Sequence, residues 1–136
     1  MKRFGFSLGL FATLLCASLS AQTMDLRANI PFPFRVGVTN LPAGEYRIHT
    51  GNGVLMVKDE RGSHSAFSLL SFRAVRRASA AQGLVEFNRY GENYFLAEIW
   101  APGSDEGRGL PTTPQEKELA RQFGPVEHTH IALATK

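Results

Sequence analysis

The chain has a single cysteine, Cys16, and it lies inside an apolar run near the N-terminus. Once that run is removed, no cysteine remains, which excludes disulfides, thiolate metal centres and a cysteine nucleophile. No second apolar stretch of comparable length follows, so no stable membrane span is expected in the rest of the chain. An excess of one charge is missing too. Of 15 basic residues, Lys2 and Arg3 precede the apolar run, leaving 13 against 12 acidic ones. The sequence pI of about 9.4 therefore overstates the basicity of the remainder. A near-neutral domain lacks the cationic excess that phosphate contacts require, so nucleic acid is not an expected partner. Nucleophile elbows, phosphate-cradling glycine loops and zinc-protease helix motifs are absent, as are internal repeats and low-complexity tracts. What remains names no reaction and implies no cofactor.

What is present starts with an export signal. Met1-Lys2-Arg3 is a cationic n-region, Phe4 to Ala17 is apolar, and Ser18, Ser20 and Ala21 supply small residues for cleavage. Cleavage after Ser20 places Ser18 at −3, whereas cleavage after Ala21 places bulky Leu19 there. Leu15 before Cys16 fits a lipoprotein signal badly. Residues 1–21 read as a signal peptide and 22–136 as a single β-rich domain, exported to the periplasm or the outside.

Ala28 to Val36 puts Ile30, Phe32, Phe34 and Val36 on one phase, with Pro31 and Pro33 on the other, which predicts an edge strand or extended arm. Leu41-Pro42-Ala43-Gly44-Glu45-Tyr46 has the spacing of a tyrosine corner. Asn52-Gly53 predicts a hairpin turn, and Gly62 closes the turn after Asp59. His64 to Phe72 reads as one strand whose hydroxyls imply a wet face. Arg73, Arg76 and Arg77 form a small basic cluster best read as solvated surface. Ala101 to Leu110 reads as a glycine-rich loop, in which Asp105 and Glu106 point apart and lack the ligand series of a calcium loop. Thr113-Pro114-Gln115-Glu116 is a helix start with a capping box, and Gly124-Pro125 stops the helix, giving a span of about 114–123. Val126 to Leu133 alternates as a last strand. The sum is all-β: an antiparallel sandwich or small barrel of about seven to eight strands with one short helix in the C-terminal region.

Leu84 to Trp100, LVEFNRYGENYFLAEIW, predicts a hairpin turning at Gly91-Glu92-Asn93. A three-residue turn would set Tyr90 against Tyr94, Phe87 against Ala97, Val85 against Ile99 and Glu86 against Glu98. Val85, Phe87, Phe95, Ala97 and Ile99 then form a core face. Tyr90, Tyr94 and Trp100 share the outer face, the best candidate for binding a protein or glycan partner. Glu86 and Glu98 on that face have the residue types of a glycosidase acid/base pair, although Arg35, Arg47 or Arg73 could compensate them without catalysis. His128 and His130 fall on one face about 7 Å apart at Cα and would hold a metal only if a third ligand such as His49 or His64 converged.

Pro31-Phe32-Pro33-Phe34 with Val36-Gly37, Leu41 to Tyr46, Phe87 to Gly91, Tyr94-Phe95-Leu96, Ile99-Trp100 with Pro102-Gly103, and Leu110-Pro111 before Glu116 to Ala120 together resemble a family of short exported bacterial proteins of unassigned activity. The resemblance implies export and a shared β-rich fold, and it carries over no catalytic residue. The expected function is a non-enzymatic exported or envelope-associated structural or binding module. The alternative is a small hydrolase or metal-dependent enzyme using Glu86/Glu98 or His128/His130. Intact-mass analysis of the protein recovered from the producing cell's envelope or medium is expected to show a chain beginning at Ala21 or Gln22; a mass retaining residues 1–21 would refute cleavage.

Overall fold

The computed structural model describes residues 24–75 and 82–135. The expected signal peptide, residues 1–21, and Arg76 and Arg77 lie outside them. In chain order the strands are β1 (Met24–Ile30), β2 (Phe34–Val36), β3 (Thr39–Leu41), β4 (Gly44–Gly51), β5 (Val54–Asp59), β6 (Ser65–Leu69), β7 (Phe72–Val75), β8 (Leu84–Tyr90), β9 (Asn93–Trp100), β10 (Glu106–Gly109), β11 (Glu127–Ala132) and β12 (Ala134–Thr135). Helix α1 (Pro114–Phe123) lies between β10 and β11. The strands form two sheets. One has the order β12-β1-β4-β5-β6. The other runs β11-β8-β9-β10-β7, and the β2–β3 hairpin joins it through a parallel contact between Arg35 and Phe95. The fold is a sandwich-like all-β architecture with one short helix. The strands beyond the expected seven or eight are short, with β2 and β3 at 3 residues each and β12 at 2.

The prolines act where the chain changes sheet. Ala28 to Val36 is divided: β1 pairs on both sides in one sheet, and β2 joins the other. Pro31 and Pro33 occupy the crossover, where no ladder N–H is required. The predicted apolar phase holds across the break, with Ile30, Phe34 and Val36 buried and Phe32 half-buried. Phe32 stacks on Tyr94 at 3.7 Å and meets Phe87 edge-on at 5.1 Å; Phe34 meets Phe87 at 5.5 Å and Tyr46 at 5.1 Å. These rings tie the two sheets together. The tyrosine corner forms as expected, with the Tyr46 hydroxyl donating to the Pro42 carbonyl at 2.5 Å.

His64 to Phe72 is likewise two strands in two sheets, β6 and β7. Its faces correct the expected wet side. Ala66 and Ser68 turn inward, while Phe67 and Leu69 stand out at 64% and 68% exposure. The Asn52-Gly53 turn has positive φ at both residues, 53° and 73°, as a two-residue hairpin turn with the twist of its strands requires. The segment predicted as a glycine-rich loop contains β10, which pairs with both β9 and β7. Its glycine at 107 is what admits Trp100: the two residues are cross-strand partners, and a Cβ on Gly107 would lie 2.5 Å from the indole.

The helix occupies the predicted span, and Thr113 accepts from the Glu116 N–H at 3.2 Å. Its carboxylate does not return to the cap; it turns under the helix onto the sheet. At the far end, the Phe123 ring covers the hairpin turn closely enough to stand 2.8 Å from a Cβ built at Gly91.

Phe87 is fully buried among these rings and Phe67 is exposed, so the two phenylalanines should respond differently to truncation. Phe87→Ala is expected to cost about 3–5 kcal/mol in urea unfolding. Phe67→Ala should stay within about 0.5 kcal/mol. Gly107→Ala should displace the only tryptophan, read as a red shift of its fluorescence.

Candidate functional site

The hairpin of β8 and β9 has a shorter turn than its composition suggests. Tyr90 pairs with Asn93, Arg89 with Tyr94, Asn88 with Phe95 and Phe87 with Leu96. A bulge then shifts the register between Glu86 and Phe87, so that Glu86 faces Glu98 and Val85 faces Ile99 after all. A two-residue turn alone would mix apolar and charged residues on both faces; one extra residue, Ala97, restores the separation. The core face is Val85, Phe87, Leu96 and Ile99, with Tyr94 packed beside them. Phe95 belongs to the other side, where its ring meets Tyr90 at 6.0 Å and lies under the Arg35 guanidinium at 5.4 Å.

This register corrects the expected aromatic surface. Tyr94 faces inward against Phe32. Tyr90 and Trp100 do face outward, but they are only 6% and 4% exposed. Tyr90 is covered by α1, and Trp100 lies over Gly107. The three residues form no common exposed platform.

Polar groups on the outer face engage one another. Glu116, 5% exposed, accepts through Oε1 from Asn88 Nδ2 at 2.8 Å and from the Tyr90 hydroxyl at 3.2 Å. A buried carboxylate with two donors fastens a helix that is too short to be stable undocked. Strand β11 lies alongside β8, with His130 opposite Glu86 and His128 opposite Asn88. Glu86 Oε2 is 2.9 Å from His130 Nε2, and Oε1 is 2.9 Å from His128 Nδ1. Glu98 accepts from the Trp100 indole N–H at 3.0 Å. The facing carboxylates thus meet imidazoles and an indole; of the arginines considered, the side chain of Arg73 lies outside the described residues. Arg47 pairs with Glu60, and Arg35 donates to Asn40. The Glu86/Glu98 and His128/His130 candidates, separate in sequence, meet in one cluster. His49 lies in β4 of the other sheet and His64 in the turn that precedes β6. Among the described residues, no three His, Cys, Asp or Glu side chains are placed to hold a metal ion. No helix among them is long and apolar enough to cross a membrane.

A second polar group escaped sequence reasoning. The β3–β4 and β5–β6 turns enclose an open cleft of about 410 Å³, lined by Pro42 to Tyr46, Asp59 to Arg61, Ser63 and His64. At its edge Asp59 Oδ2 is 3.1 Å from His64 Nδ1. An ionised carboxylate only accepts, so Nδ1 carries the proton of this contact and Nε2 is left to other partners. Partial burial alone would raise the Asp59 carboxyl, but the His64 hydrogen bond, backbone N–H groups of His64 and Ser63 and the imidazole's charge together lower it. The signal was present in the sequence: a turn over Asp59 to Gly62 brings residues 59 and 64 opposite each other. Arg27 and Arg47 lie near Glu60, at 3.7 and 3.8 Å, on the same rim.

Two groups of opposite behaviour predict the pH limits of the fold. Burial, then the Glu116 charge and hydrogen bond, raises the Tyr90 hydroxyl; burial and then Asp59 raise that of Tyr46. The folded state holds these protons more tightly than the unfolded state, so stability should fall as pH rises past about 10, the ordinary tyrosine value. Asp59 is shifted down, so its contribution should be complete above about pH 4 and disappear as pH falls through the lower folded value. Urea midpoints measured against pH should show both limbs, with Tyr90→Phe flattening the alkaline one and Asp59→Asn the acid one. No protein-family model, curated protein or solved structure matches the chain, so its own residues carry the functional reading.

Proposed function

We propose that this protein is a non-enzymatic module, exported to the periplasm or beyond, that holds a protein or glycan partner. The observation that best supports this reading is the distribution of uncommitted polar capacity. On the outer face of the seven-stranded sheet, Glu86 and Glu98 of the strands and Glu116 of α1 each engage side chains of the protein itself, an arrangement suited to rigidity. At the cleft, His64 is half-exposed and fixed by Asp59 through one nitrogen, which leaves the other to hydrogen-bond a hydroxyl or amide of a partner. The cleft volume is within the range of small-ligand sites. The resemblance to short exported bacterial proteins agrees with the same role.

The alternative, a small hydrolase or metal-dependent enzyme, draws on one observation: both imidazoles of β11 meet the Glu86 carboxylate, which faces Glu98. Titration of the labelled protein with an N-acetylglucosamine trisaccharide separates the two. The binding reading expects amide shift changes at residues 43–46 and 59–64, their loss in His64→Ala, and recovery of intact sugar. Shortened sugar whose production is abolished by Glu86→Gln would instead support the hydrolase. No shift changes at those residues would remove the cleft as the binding place.

A further inference from the structure

β6 is the outermost strand of its sheet, and among the described residues β5 is the only strand paired with it. The direction of its backbone groups follows from the ends of this pair. The Asp59 N–H donates to the His64 carbonyl at 3.0 Å, and the Leu70 N–H to the Gly53 carbonyl at 2.8 Å. Antiparallel pairs alternate, so Val57/Ala66 and Leu55/Ser68 between them are also hydrogen-bonded pairs. The N–H and C=O groups of Ser65, Phe67 and Leu69 therefore point away from β5.

The side chains on that edge are apolar and uncovered. Phe67 and Leu69 are 64% and 68% exposed, beside their cross-strand partners Met56 and Val54, the latter 38% exposed. Ser65 to Leu69 contains no charge or proline, the devices by which edge strands commonly resist pairing. By contrast, β11, at the edge of the other sheet, carries Glu127, His128 and His130, and β12 has only 2 residues.

We propose that β6 is a self-association edge, onto which a second copy of this chain adds antiparallel about a twofold axis at Phe67. This register uses all three outward-pointing residues: Phe67 faces Phe67 of the second copy, and Ser65 faces its Leu69. Beyond them His64 faces Leu70 and Ser63 faces Ser71, so no like charges oppose one another. The apolar stripe of Val54, Met56, Phe67 and Leu69 becomes continuous across both copies. Such an isologous contact closes after two copies. Its area is small beside the roughly 1,600 Å² of a standard stable interface, so the association is reversible and depends on concentration.

Sedimentation equilibrium of the purified protein from micromolar to millimolar concentration is expected to show a monomer–dimer equilibrium. Phe67→Lys and Phe67→Glu each place like charges face to face and should lower the association constant about tenfold or more. An equimolar mixture of the two should recover association, because opposite charges then meet at the axis. Ser65→Pro removes an outward N–H without touching the β5 ladder and should also weaken the dimer. Thermal unfolding at low concentration should be nearly unchanged in the Phe67 variants, since that site is exposed. A protein monomeric at millimolar concentration, a dimer indifferent to Phe67→Lys, or a mixture no better than its components would overturn the proposal.

Discussion

Phe87 is the point on which both sheets converge. It is fully buried, and the rings of Phe32 and Phe34 meet it edge-on from the crossover segment. Phe34 continues to Tyr46 in the five-stranded sheet, and Phe32 to Tyr94 in the seven-stranded one. Such ring pairs contribute about 0.5–1.5 kcal/mol each beyond their area. Without a cysteine after Cys16, this packing has to supply what disulfides supply in folds that have them. The two prolines position the contact by letting the chain leave one ladder and join the other where neither has an N–H to pair.

From this core the outer face of the seven-stranded sheet acquires its character through the bulge at Ala97. Below the bulge the hairpin keeps Glu86 opposite Glu98 and turns both outward; above it, Tyr94 is carried inward and Phe95 outward. The face that results is closed by local partners. β11 brings two imidazoles to Glu86, and α1 brings a buried carboxylate to Asn88 and Tyr90. Each group that sequence chemistry would assign to catalysis thereby gains a partner within the protein. The accessible features lie on the other sheet, in the Asp59–His64 cleft and the apolar edge of β6.

The legible parts of the fold were those decided within a few residues. Thr113, Pro114 and Gly124 bound the helix because capping and φ preferences act over one turn. Tyr46 finds Pro42 four residues back, and Asn52-Gly53 reverses the chain with no help from elsewhere. The paths of Ala28 to Val36 and His64 to Phe72 were not legible, since alternation reads the same whether a segment stays in one sheet or crosses to another. The candidate site was half legible. Glu86, Glu98, His128 and His130 had the right faces, but their meeting depends on β11 lying beside β8, across about forty residues of chain. Tyr90, Tyr94 and Trp100 failed as a surface because the hairpin register turns Tyr94 inward, while α1 covers Tyr90 and Trp100 packs over Gly107.

By itself the sequence determined an all-β chain with a capped late helix, a tyrosine corner, a near-neutral domain and an apolar phase for most strands. These follow from period, turn chemistry and composition, which are local. Only the tertiary structure decided which strands are neighbours, which aromatic residues are covered and which carboxylates find partners. Those outcomes depend on strand order and on a single bulge, and neither leaves a local signature. A one-residue change in register exchanges the two faces of a strand, so burial and exposure along the hairpin are properties of the assembled sheet.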